Sequence, residues 1–163
     1  MAGATTAGRA LLLLHRSGRA FAVYEDEAEA VNEGRRPAPL PDAPRAVLGV
    51  VPLRGRMRTI LDPAAIDAPP AEETEAPPNS ETPAFIVALR GDEQLALACE
   101  RAERVEAPPF ADANADLHAS NADAHVRATF RLGPLGVTLL DPAHLFEAAM
   151  RGTDRRRHRQ KKP

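Results

Sequence analysis

Residues 49–62, GVVPLRGRMRTILD, put two β-type apolar runs on either side of a Leu-Arg-Gly element so compact that it reads as the connection of a strand pair. Val47, Val50 and Val51 before it, and Ile60 and Leu61 after it, are branched and aliphatic residues suited to a half-buried pleated surface. Gly55 permits a turn or a bulge, and Arg54 is the side chain that the connection presents.

Similar short runs recur along the chain. Ala10 to His15, a Ser17-Gly18 turn and Phe21 to Tyr24 make a hairpin signature, and Phe85 to Leu89, a Gly91-Asp92 turn and Leu95 to Cys99 repeat it. After the first hairpin, EDEAEAV suits a helical turn or the polar face of an irregular strand, and RRPAPLPDAP is too proline-rich for anything but a loop. Further strands are expected at Ala46 to Pro52, Met57 to Leu61, Ala128 to Leu132 and Gly136 to Leu140, with a charged segment around Val105. Asp141 and Pro142 then open AHLFEAAM, where Leu145, Phe146 and Met150 at helical spacing predict a short amphipathic helix capped by Asp141, its apolar side closing a β core.

Between Asp67 and Pro83, five prolines and five acidic residues with almost no large apolar side chain make a solvated connector. The chain therefore divides into a flexible segment 1–9, modules at about 10–66 and 84–150 joined by the connector 67–83, and a basic, disordered tail 151–163.

At 163 residues and 44% hydrophobic content the chain can bury one ordinary core, or two small ones sharing an interface. Its conspicuous aliphatic run, Leu11 to Leu14, falls far short of the roughly 20 residues of a spanning helix and of the roughly 7–15 of a secretory signal, so a cytoplasmic protein is expected. Cys99, the single cysteine, lies in LALAC and reads as a buried structural thiol. From Arg151 onward there are seven Lys or Arg and one Asp, which leaves a body of about −8 and a tail of about +6. An acidic body argues against a nucleic-acid-binding domain, although the tail alone suits RNA, DNA or anionic lipid.

No catalytic constellation assembles from the histidines: His15 ends a strand, His144 opens a helix, His158 is in the tail, and His118 and His125 read as solvated loop residues. Asp112, Asn114, Asp116 and Asp123 have the spacing of a calcium loop, but Leu117 replaces its glycine and flanking helices are missing, so this is read as an Asx-rich loop. Aromatic residues make up only 4% of the chain, too few for a base-stacking platform, and Phe21, Phe85, Phe130 and Phe146 are expected in the core.

Together, ALLLLHRSGRAFAV, APRAVLGVVPLRGRMRTILD, the second hairpin and GVTLLDPAHLF resemble the CheW-like domain of bacterial chemotaxis, from Ala10 to Ala149. The specific match is Gly-Val, Leu-Arg-Gly and an apolar strand ending in Asp, carried by Gly49, Val50, Leu53, Arg54, Gly55, Ile60 and Asp62, with Leu-Leu-Asp-Pro as a second anchor. The resemblance implies a mainly β fold of two intertwined SH3-like five-stranded β-barrel modules around a shared hydrophobic core, with a short C-terminal helix. It also implies an adaptor without catalytic activity, cofactor, metal or small-molecule substrate. Its partners would be chemoreceptor cytoplasmic tips, docked in a groove between the modules, and a CheA-type histidine kinase on an exposed module face, at the periphery of membrane receptor arrays.

In that frame Arg54, Leu53, Gly55, Ala28 and Val31 are the partner-binding candidates, with Val50 and Leu53 also suited to the core. Arg54 has two readings, a fork for a partner's carboxylates or carbonyls and an internal salt bridge. The chain departs from the family pattern at Pro52, Thr59 and Pro63, and the family's Val-x-Glu-Ile becomes Ala28, Glu29, Ala30 and Val31. Service to another regulatory partner, such as one in pilus motility, and association of the tail with nucleic acid or a membrane surface are the alternatives.

Overall fold

The computed structural model describes residues 9–66, 82–91, 94–106 and 124–160. The Asx-rich loop and most of the acidic connector lie outside them.

The leucine run of β1 (Ala10–Arg16) is continuous because both of its faces are covered. Leu12 and Leu14, with Phe21 and Val23 of β2 (Arg19–Tyr24), join a core that also holds Leu97 and Cys99 of β7 (Leu95–Cys99) and Val87 and Leu89 of β6 (Phe85–Leu89). Leu11 and Leu13 turn the other way, onto Ala20, Ala22, Ala128, Phe130, Val137 and Leu139. A third cluster gathers Ile86, Ala96 and Ala98 with Leu48, Val51 and Leu53 of β4 (Val47–Leu53) and Ile60 of β5 (Arg56–Leu61). There is thus one shared core and one private core for each sheet.

The remaining strands are β3 (Ala28–Glu33), β8 (Arg101–Glu106), β9 (Val126–Leu132) and β10 (Leu135–Leu140). They complete two five-stranded sheets, in the orders β8-β1-β2-β10-β9 and β3-β6-β7-β5-β4. Each half of the chain therefore gives its leading hairpin to the sheet built from the other half. Parallel pairings, β10 on β2 and β5 on β7, seal the exchange. The expectation of SH3-like β-barrel modules is corrected to two open five-stranded sheets: β8 and β9 remain the edges of the first, β3 and β4 those of the second.

Residues 25–31 satisfy both of their sequence readings in succession. Glu25–Glu27 form a single 3₁₀ turn, and β3 follows at once. Each acid of that turn is held by an arginine from another segment: Glu25 by Arg104 at 2.8 Å, Asp26 by Arg9 at 2.9 Å and Glu27 by Arg127. The three pairs stand where the chain leaves one sheet for the other; the Arg127 pair is the least exposed of them.

TILDPA at 59–64 and TLLDPA at 138–143 end equivalent strands in the two halves. In each, the Asp caps a helix: Asp62 accepts from the Ala64 backbone N–H at 3.0 Å, opening α1 (Pro63–Ile66), and Asp141 from that of Ala143 at 3.1 Å, opening α2 (Pro142–Gln160). Leu145 and Ala149, one turn apart on α2, lie in the shared core.

Three further sequence expectations are corrected here. The C-terminal helix runs on to Gln160, through most of the segment read as a disordered tail. Phe85 and Phe146 are 37% and 38% exposed, because Phe85 only opens its strand and Phe146 sits beside the buried stripe of α2. His125 is only 4% exposed: it marks the start of β9, where its carbonyl accepts from the Asp141 N–H at 2.8 Å.

Candidate functional site

β4 and β5 pair with Leu53 opposite Arg56, leaving a two-residue turn of Arg54 and Gly55. Both have positive φ, 50° and 78°, the requirement of the hairpin turn that matches strand twist and favours Asn-Gly. Gly55 meets it without strain, whereas Arg54 does not belong to the types that do so readily. Leu53, in the core, anchors the turn from beneath. The Arg54 side chain is exposed and makes no hydrogen bond or ion pair among the described residues, so the internal salt-bridge reading is not realised there.

The internal pair belongs instead to Arg58. Counting back by two from buried Ile60 puts Arg58 on the inner face of β5, and it is 3% exposed. Its Nη1 donates to the carbonyls of Leu89 at 2.9 Å and Leu95 at 3.3 Å, and its Nη2 donates to Glu29 Oε2. Glu29 can reach it because β3 slips register against β6 between Ala28 and Ala30. This bulge supplies a carboxylate one residue before the position where the family pattern has its glutamate. Alternation in RMRTIL carries the signal for a buried arginine, which the attention to Arg54 missed.

Between β3 and the turn lies a recess of about 210 Å³, walled by Glu29, Asn32, Arg54, Arg56 and Arg58 over Ala30, Leu53 and Ala88. Of the other predicted residues, Val31 is 46% exposed on the edge strand, and Ala28 is half-buried against the shared core. The structure therefore brings Arg54 and Leu53 to one recess, keeps Gly55 in the turn that presents it, and leaves Ala28 and Val31 on the adjoining strand. Tyr24, at the end of β2, lies between Arg9 and Arg127, whose guanidinium carbons stand 3.6 Å and 5.2 Å from its ring centroid.

Little else among the described residues suggests chemistry. No group of three or more His, Cys, Asp or Glu could hold a metal ion there, and no described helix is long and apolar enough to cross a membrane. Cys99 is buried, and desolvation holds its thiol up at about 11, away from the thiolate needed for reaction.

The family model of the CheW-like domain matches residues 10–150. The chain belongs to the CheW-like domain family. Among solved structures this CheW-like chain is similar to the scaffolding protein TtCheW from Thermoanaerobacter tengcongensis, with a TM-score of 0.67 and 10% identity over 90% of this chain and 92% of that one. At that identity the likeness is one of fold, and it extends across both sheets of the CheW-like domain. No curated protein matches the sequence.

Proposed function

We propose that this CheW-like chain is a non-enzymatic adaptor that couples chemoreceptor cytoplasmic tips to a CheA-type histidine kinase, in the cytoplasm at the periphery of receptor arrays. The observation that carries the reading is the state of Arg54. It occupies a backbone conformation that suits asparagine or glycine better, and among the described residues its guanidinium serves nothing inside the fold. Such a residue has its use in what it offers to a partner. Val31 adds apolar contact on the neighbouring edge strand, while Leu53, Gly55 and Ala28 hold the surface in shape.

Titration of the purified chain against the kinase regulatory domain and a receptor cytoplasmic fragment encoded in the same genome tests this. Saturable binding to both is expected, and no saturable binding to any encoded pair contradicts it. Service to a different regulatory partner is the second reading, favoured by Ala28 and Ala30 in place of the family's valine and glutamate.

A further inference from the structure

We infer that the recess between β3 and the β4–β5 turn is a carboxylate site, which takes an aspartate or glutamate side chain of a docked protein; that source rests on the adaptor reading. Three guanidiniums, from Arg54, Arg56 and Arg58, face one carboxylate, Glu29. Arg58 is occupied by Glu29 and two backbone carbonyls. Arg54 and Arg56 make no ion pair or hydrogen bond among the described residues, which leaves two positive charges over the opening. On the opposite wall, Asn32 Nδ2 is buried and has no hydrogen-bond partner.

The chemistry of the recess is that of donors. Guanidinium and amide N–H groups point to an anion, and the planar guanidinium fork matches the two oxygens of a carboxylate. The floor of Leu53, Ala30 and Ala88 is apolar, so it suits an acid carried on a short aliphatic stem better than a free inorganic ion. The pairing of Leu53 with Arg56 sets Arg54 in the turn and Arg56 at the first position after it, and the Arg58 to Glu29 link ties β5 to the β3 wall.

The full chain, isotope-labelled for NMR, is titrated with N-acetyl-glutamate methylamide, with N-acetyl-glutamine methylamide and with sodium chloride at matched ionic strength. The glutamate probe should shift the Asn32 side-chain amide and the Arg54 and Arg56 Nε–H signals saturably in the millimolar range, and the other two additions should not. Arg54→Gln with Arg56→Gln should weaken the probe at least tenfold; if that pair loses the fold, Arg54→Gln alone gives the readout. An equal response to the glutamine probe or to chloride, no saturable shift at Asn32, or undiminished binding by the folded variant overturns the assignment. Kinase and receptor fragments are titrated in the same buffer. Fragments that bind while the probe fails sink the carboxylate site alone, and a probe that binds while neither fragment does sinks the adaptor reading alone.

Discussion

Arg16 and Asp62 meet through two hydrogen bonds, Nε to Oδ1 at 3.2 Å and Nη2 to Oδ2 at 3.3 Å, which join the end of β1 in one sheet to the end of β5 in the other. Both side chains are largely buried, 13% and 12% exposed, and the same carboxylate caps α1. Asp62→Ala removes both of these hydrogen bonds, leaves the guanidinium only Glu100, half-exposed at 4.0 Å, and uncaps the helix, so the loss should be about 2–4 kcal/mol. Asp62→Asn, which retains a capping oxygen, should lose less. Urea denaturation of the two variants measures the difference.

Arg58 and Glu29 make an unequal pair, since Arg58 is buried and Glu29 is 37% exposed. Arg58→Ala removes hydrogen bonds to two backbone carbonyls and a carboxylate, and should cost about 3–5 kcal/mol. Glu29→Gln should cost only about 1 kcal/mol, because water still reaches that end of the pair. Equal losses in denaturant would show that the pair acts as one buried unit.

Arg54 offers a separation of stability from function. Arg54→Asn suits the positive φ of the turn and should raise stability by about 0.5–1 kcal/mol, while Arg54→Glu should change it by less than about 0.5 kcal/mol. Both should weaken partner binding at least tenfold in calorimetric titration. A large loss of thermal stability in Arg54→Glu would instead mark the arginine as structural.

Gly49 stands at φ 143°, where β4 slips register against β5, and a Cβ there would come within 2.2 Å of the Ala38 carbonyl oxygen. Ala38 and Val50 exchange two backbone hydrogen bonds at 2.9 Å, which cover the outer edge of β4. Gly49→Ala should therefore cost about 2–4 kcal/mol and expose that edge. Faster amide exchange at Ala38 and Val50 is the accompanying signature.

For Cys99 the sign of the pH effect follows from burial. Desolvation raises the folded thiol from 9.0 to about 11, so the unfolded chain sheds this proton first as pH rises. Its contribution is fully present below pH 9 and is lost between about 9 and 11, a change on the order of 2–3 kcal/mol. Cys99→Ala should remove that part of the alkaline fall, and a thiol reagent at pH 8 should label the native chain only after denaturation.

Much of the architecture was legible because local chemistry determines it. The hairpins follow from short apolar runs and turn residues, and Asp141 announces its helix by standing before Pro142. The exchange of hairpins between sheets was not written locally: it depends on parallel pairings such as Thr138 with Phe21 and Thr59 with Leu95, between segments far apart in the chain. The repeated Asp-Pro-Ala strand ends were a usable sign that the halves are equivalent. At the site, the glycine-bearing turn singled out Arg54. The bulge that turns Glu29 onto Arg58 breaks the period of two, so sequence alternation alone hid it.

The most direct test asks whether the chain links two proteins. An immobilised receptor cytoplasmic fragment is incubated with the CheA-type kinase encoded in the same genome, with and without this protein, and the retained kinase is measured. An adaptor should raise kinase retention several-fold, and Arg54→Glu should reduce that gain; equal retention with and without the protein would contradict the proposed coupling.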